Sequence, residues 1–361
     1  MANREKLVNL LQHYWPKNKA KGLLAQIILA DEIKRNKFGS SANEKIFPGC
    51  WLLSPKNPDY YKFRFAFFIH PEAVKTSLAC NPRSLLGDFF RPLHAISEFM
   101  NNAGLGVAYA VAHTPTGELP VEELGEDNYE NLSWRLFVLE NGQFEEKNIN
   151  NFFDKWPGNR GRPSYGRMDW EENIKEGINN LDQEILKTAL LNELFYTGFL
   201  KALLKKPVND PYDVDQFAIS LSQKHIFPME IKEKFAATEN SSSKFFGIDA
   251  GRIMMMLRLC LPNDANAIYL IRELNEAGVF QGWKYITLSD IIMASGWNLQ
   301  AGGRGMGGQN TQTVKLHYDR FRDFTEDTIS EDNLKIIGNM PEEIKKTAQE
   351  FSEKIEEKFI E

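Results

Sequence analysis

Three isolated cysteines, Cys50, Cys80 and Cys260, are too few and too widely spaced for a disulfide framework or a cysteine-rich zinc site. The six histidines are equally scattered, which disfavours a histidine-ligated metal centre. No run of about 18 uninterrupted apolar residues occurs, so no transmembrane helix and no membrane partner are expected. The segment Met1–Lys6 mixes charges and lacks an apolar signal core, which together with the cysteine usage points to a cytoplasmic protein. No G-x-x-x-x-G-K-[ST] pattern is present, so neither a nucleotide cofactor nor ATP-driven translocation is expected. An excess of positive charge is missing too. Lys and Arg total 43 against 49 Asp and Glu, a formal net charge of −6. A nucleic-acid contact would therefore have to come from local basic clusters, because counterion release dominates such binding.

What is present is ample core material. Hydrophobic residues make up 42% and aromatics 12% of 361 residues, enough for two domains or one large elaborated one. Residues 4–12 and 19–36 show helical periodicity, with Leu7, Leu10, Leu11, Leu23, Leu24, Ile27 and Ile28 as apolar faces. Between Tyr61 and Ile69 the period changes to two. Gly106–Ala112 and Trp134–Glu140 read as further strands, the last ending at the hairpin signal Asn141-Gly142. Pro82–Met100 reads as a helix broken near Gly87 or Pro92. Residues 1–155 are thus expected to form an α+β region on an antiparallel sheet, with DNA recognition or dimerisation as its candidate roles. Residues 156–170, rich in Pro, Gly and Arg, read as a basic linker.

The chemistry concentrates further on. Asp213-Val214-Asp215 is followed, fifteen positions after Asp215, by Glu230-Ile231-Lys232. Both groups lie in short alternating stretches that read as strands. Residues two apart on a strand point the same way, so Glu230 and Lys232 share a face opposite Phe227, Met229 and Ile231. If the strands pair, Asp215 lies beside Glu230. Two close carboxylates repel unless a cation sits between them, and hard oxygen ligands suit Mg²⁺. Asp213 has the same strand parity and is the alternative to Asp215, which is preferred because it lies deeper in the apolar strand. The plain alternative is an antiparallel hairpin whose solvent face carries Asp, Glu and Lys.

Around these residues run a helix-like segment at Leu186–Lys206 carrying Glu193, a polar link at Ser241-Ser242-Ser243, a helical run opened by Gly247–Arg252 and reaching Leu261, and a strand at Ala267–Ile271. With Asp215 and Glu230-Ile231-Lys232, this order resembles the PD-(D/E)xK nuclease superfamily, over roughly residues 185–295. Pro211 does not immediately precede the candidate aspartate, a departure from the family pattern. The resemblance implies an α/β (α+β) fold: a restriction-endonuclease-like core, a mixed central sheet flanked by helices, with the N-terminal α+β region added. It also implies a Mg²⁺-dependent endonuclease acting on double-stranded DNA. Asp215, Glu230 and the Ile231 carbonyl would hold the metal, which polarises the phosphate and acidifies a bound water. Lys232 would position or deprotonate that water, and Glu193 is a secondary ligand candidate. The nuclease core is expected over residues 171–335, with a charged C-terminal helix over 336–361.

DNA contacts are expected from Arg160, Arg162 and Arg167 in the linker, and from Lys234 and Lys244 near the centre. A glycine-rich loop at 301–308 and the residues after it supply Arg304, Gln309, Asn310, Gln312 and Lys315, of which Arg, Gln and Asn match base edges. Lys201, Lys205 and Lys206 also suit a helix C-terminus. In the C-terminal helix, Ile344, Ala348, Phe351 and Ile355 form a stripe for docking on the same domain or on a second copy. A homodimer is expected because one such centre cuts one strand. Within the superfamily a sequence-specific type II restriction endonuclease fits best. The alternatives are a repair or antiphage effector nuclease gated by a partner or ligand, and a non-catalytic DNA-binding protein of the same fold.

Overall fold

The computed structural model describes residues 2–39, 42, 44–54, 65–78, 81–124, 132–154, 156, 169–204, 212–222, 224–240, 243–294, 299–304 and 310–350. Packing divides the chain into two units, residues 1–35 with 48–213 and residues 36–47 with 214–361. Each is mixed α/β. Among the described residues no helix is long and apolar enough to cross a membrane.

The first unit opens with α1 (Ala2–Tyr14) and α2 (Lys17–Lys34). Strands β1 (Ile46–Leu53), β2 (Phe65–Ile69) and β3 (Val74–Lys75) follow. After α3 (Pro82–Leu86) and α4 (Phe90–Asn102) come β4 (Gly106–Thr114), β5 (Ser133–Glu140) and β6 (Gln143–Lys147). Helices α5 (Ile149–Asp154), α6 (Glu172–Asn179) and α7 (Gln183–Glu193) complete it, and α7 continues as a π-helix over Leu194–Leu203. The order β1-β2-β4-β5-β6 is mixed, not purely antiparallel as the strand pattern suggested. Phe65 pairs with Gly106 in parallel, because α3 and α4 form a crossover between β2 and β4. The helix breaks at Gly87, whose φ of +50° suits glycine, and not at Pro92. Pro92 lies in the first turn of α4, where a missing N–H costs nothing. Asn141 and Gly142 both have positive φ, 51° and 74°, as a two-residue hairpin turn requires.

The core of this unit joins Leu7, Leu11, Leu24, Ile174, Ile178, Leu186 and Leu190 to an aromatic cluster around Phe67. Phe153 stacks on Phe67 at 5.8 Å between centroids, and Phe195 lies at 5.7 Å. Trp156 and Trp170, which flank the Arg-rich stretch, are both buried in this core. The Trp170 indole N–H donates to the Trp15 carbonyl at 2.8 Å. Both ends of the expected linker are thus anchored in one unit, and the chain divides after residue 213, not near 170. Arg160, Arg162 and Arg167 lie outside the described residues.

The second unit is built on β7 (Tyr212–Ser220) and β8 (His225–Phe235), an antiparallel pair. β9 (Ala237–Asn240) and β10 (Ser243–Asp249) lead into α8 (Ala250–Cys260). Gly247 and Ile248, expected to open that helix, instead belong to the strand, while Asp249 ends the strand and is the N-cap of α8. β11 (Ile268–Leu274) then pairs with β8 in parallel, and β12 (Phe280–Thr287) follows antiparallel. After α9 (Leu288–Met293), β13 (Leu299–Arg304) pairs antiparallel with β14 (Asn310–His317), so residues 301–304 of the expected 301–308 loop are strand, and 305–308 lie outside the described residues. β15 (Arg322–Asp323) and α10 (Glu331–Gly338) come last. The main sheet runs β15-β12-β11-β8-β7, and a second sheet runs β13-β14-β10-β9. The charged C-terminal helix is described over 342–350. Ala348 is buried and Lys345 pairs with Asp264 at 2.7 Å, so this helix docks on its own unit. Phe351 and Ile355 lie outside the described residues.

Replacing Phe67 by alanine removes the centre of the aromatic cluster and leaves a cavity. The loss expected for the first unit is about 3–5 kcal/mol, read from urea denaturation followed by tryptophan fluorescence. A change below 1 kcal/mol would show that the cluster collapses around the gap.

Candidate functional site

Strand β8 is interior to its sheet, with β7 on one edge and β11 on the other. Phe227, Met229 and Ile231 are buried on one face, as alternation predicts. Glu230 is buried on the other, its side chain 1% exposed. The backbone ladder between β7 and β8 ends at Gln216 and Met229. Just beyond it, the N–H of Ile231, two residues past Met229, donates to Oδ2 of Asp215, one residue before Gln216, at 2.6 Å. The carboxylate thus takes the place of a backbone acceptor where the ladder stops. The Asp215 side chain is fully buried.

Lys232 shares the Glu230 face, as expected. Its Nζ lies 2.8 Å from Glu230 Oε1 and 3.7 Å from Asp215 Oδ2. A second cation comes from the first turn of α8, where Arg252 Nη1 stands 3.3 Å from Glu230 Oε2. Neither contact has hydrogen-bonding geometry. Both Glu230 oxygens are buried without a hydrogen-bond partner among the described residues. Two carboxylates and two cations therefore share one buried volume. The acidic residues do not lie on a solvent face, and the surface-hairpin alternative does not describe this geometry.

Next to Glu230 across the parallel pair is Tyr269. Burial, then the carboxylates of Glu230, Asp249 and Asp215, pushes its phenol well above the usual range, so it stays a neutral donor. It donates to the Gly247 carbonyl at 2.9 Å. The Lys234 amine donates to that same carbonyl. Lys234, expected to meet a flanking phosphate, spends one of its donors on this backbone oxygen of β10. Gly247 suits this crowded position, because an added Cβ would come within 2.6 Å of Thr313 Cγ2.

The other candidates fall into three groups. Glu193, in the first unit, is buried, paired with Lys19 at 2.6 Å and hydrogen-bonded by the Thr197 hydroxyl at 3.1 Å. Its carboxylate already has protein partners. Asp213 is the second residue of β7, partly exposed, two residues before Asp215. Lys244, Gln312 and Lys315 belong to the second sheet. There Val314, Leu316, Phe246 and Ile248 face inward, which leaves Phe245, Lys315 and His317 on the opposite face. Lys315 Nζ sits 4.6 Å from the Phe245 ring centroid. Lys244 is exposed on a cleft of about 650 Å³ that also includes Thr238, Glu273, Lys284 and Tyr318. None of Asp215, Glu230 or Lys232 lines that cleft. Arg304 and Asn310 are paired across β13 and β14. Gln309 lies outside the described residues.

Arg252 was missed as a site residue. Its signal was electrostatic: a cation in the first turn of a helix opposes the helix dipole and needs an anion nearby. No family model, curated protein or solved structure matches the chain.

Lys234 offers a direct test of how dry this region is. Burial, then the charge of Lys232, pushes its amine down to about 8, against the opposing pull of Asp249 and Glu230. Between that value and the usual lysine range the unfolded chain holds a proton that the folded chain lacks. This group's contribution to stability therefore rises with pH through that window. An NMR titration of ¹⁵N-lysine-labelled protein, with the resonance assigned by Lys234→Met, should find one amine titrating near pH 8. An ordinary lysine titration for that resonance would contradict the burial argument.

Proposed function

We propose that this chain is a metal-dependent endonuclease of the PD-(D/E)xK type that hydrolyses phosphodiester bonds of double-stranded DNA. The observation that carries the reading is the pair of buried carboxylates from adjoining strands, with Lys232 against both and the Glu230 oxygens without hydrogen-bond partners. Burying such oxygens costs free energy unless a strong partner takes them up. Hard carboxylate oxygens suit Mg²⁺, which is commonly bound through only one or two carboxylates and keeps several waters. Among the described residues no group of three or more His, Cys, Asp or Glu side chains forms a richer metal site. Two carboxylates therefore fit Mg²⁺ better than a fully protein-ligated ion.

Asp215, Glu230 and the Ile231 carbonyl would hold the metal, which supplies Lewis-acid polarisation of the phosphate and acidifies bound water. Asp215 is oriented for this by the Ile231 N–H. Lys232, partly exposed at 27%, reaches toward solvent from the carboxylates and would hold or deprotonate the attacking water. Its charge would also offset negative charge developing on the phosphate. The outer face of the second sheet, with Lys315 and Phe245, and the exposed Gln312 and Lys244 offer groups for phosphates and base edges. Sequence-specific cleavage by a homodimer, as in a type II restriction endonuclease, is the form of this activity we favour.

The test is Mg²⁺-dependent cleavage of unmethylated plasmid and phage DNA by wild type, Asp215→Asn and Lys232→Ala, with folding checked by circular dichroism. Asp215→Asn keeps an acceptor for the Ile231 N–H. Cleavage should stop in EDTA and fall at least about a hundredfold in each variant. Discrete fragments would mark sequence specificity, and activity only with an added partner would mark a gated effector nuclease. Cleavage indifferent to both substitutions would sink the assignment of the site.

A further inference from the structure

Arg252 has a place in the site but no assigned part in the proposed reaction. Its Nη1 is 3.3 Å from Glu230 Oε2, without the alignment of a hydrogen bond. It sits at the third position of α8, where a positive side chain does nothing for the helix. The side chain is 22% exposed, so it opens toward solvent. Lys234 already spends one donor on the Gly247 carbonyl and offers an incoming anion a single point charge. A guanidinium, by contrast, presents paired donors that match two phosphate oxygens at once.

We propose that Arg252 is a phosphate-contacting residue that Glu230 holds in reserve. In the metal-free protein it neutralises Oε2 of Glu230. When a divalent cation is bound at that oxygen, Arg252 is displaced by like-charge repulsion and turns to the phosphodiester brought to the same centre. The inference rests on the reading that Asp215 and Glu230 bind a divalent cation. It adds that cation binding and phosphate binding are coupled through one side chain.

Arg252→Met removes the charge and keeps the stem. Mn²⁺ titrated calorimetrically into DNA-free protein should then bind at least about fivefold more tightly than in wild type, because the competing ion pair is gone. With Ca²⁺ in place of the catalytic metal, binding of a duplex oligonucleotide should weaken, and the slope of log affinity against log salt should fall by about one. Arg252→Lys should restore the salt slope and recover only part of the affinity. In EDTA, Arg252→Met should melt below wild type, since Glu230 is left with Lys232 alone, and Mn²⁺ should close the gap. Unchanged Mn²⁺ affinity in Arg252→Met, with Mn²⁺ binding by wild type that Asp215→Asn abolishes, would overturn this inference and leave the metal-site reading standing. No Mn²⁺ binding by either wild type or Arg252→Met would overturn both.

Discussion

The second unit is organised around a cost, the burial of two carboxylates on adjacent strands. An ionised group moved out of water loses several kcal/mol of solvation even after the protein relaxes. Asp215 recovers part of this through the Ile231 N–H and Lys232, and Glu230 through Lys232 and Arg252. Each partner comes from a different source: a backbone amide two residues past the end of the ladder, a side chain two residues along β8, and the first turn of α8. Strand pairing, strand parity and the start of a helix are therefore tied to the same two carboxylates. A one-residue slip of β8 would turn Glu230 into the apolar face and move Phe227, Met229 and Ile231 out of it, so hydrophobic burial and charge pairing specify the same register.

The same constraint explains the second sheet. β10 brings the Gly247 carbonyl to the Lys234 amine and the Tyr269 phenol, two donors that would otherwise be buried beside a charged cluster. It then passes directly into α8, which carries Arg252. Moving β10 would shift the arginine from Glu230 and remove an acceptor from two buried groups together. The strip of chain from Gly247 to Arg252 thus links the outer sheet to the carboxylates. That linkage is structural whether or not the centre performs chemistry.

The legible part of this arrangement was the part with a clean period. Alternation placed β7 and β8, and with them the shared face of Glu230 and Lys232, because each strand has an apolar face that must be covered. The crossover α8 and strand β11 were legible from a dense apolar run and a short β-branched one. β10 was not. Its Ser-Lys start and its Gly247-Ile248-Asp249 end carry turn and cap residues, and its apolar positions gain meaning only from Val314 and Leu316 on β14. The glycine-rich stretch misled in the same way: glycine allows a loop but does not forbid pairing, and β13 pairs with β14. The Arg-rich segment read as a connector because composition reports the middle of a stretch, while Trp156 and Trp170 at its ends decide where it belongs.

The acidic balance of the chain now has a different weight. A net charge of −6 is a sum over the whole molecule. Charges more than about 8 Å from a phosphate in physiological salt are largely screened, so the sum says little about one site. At the candidate centre Asp215 and Glu230 are matched in number by Lys232 and Arg252. The cluster is formally neutral, and it presents its positive members to solvent while its negative members are buried. A polyanion approaching that surface meets the lysine and arginine before it meets either carboxylate. Neutrality in the interior and positive charge at the opening are compatible because the strands hold the acids and the more exposed, longer side chains hold the bases. The arrangement needs no excess of basic residues elsewhere, so the acidic balance of the chain is compatible with the phosphodiester-binding centre we propose.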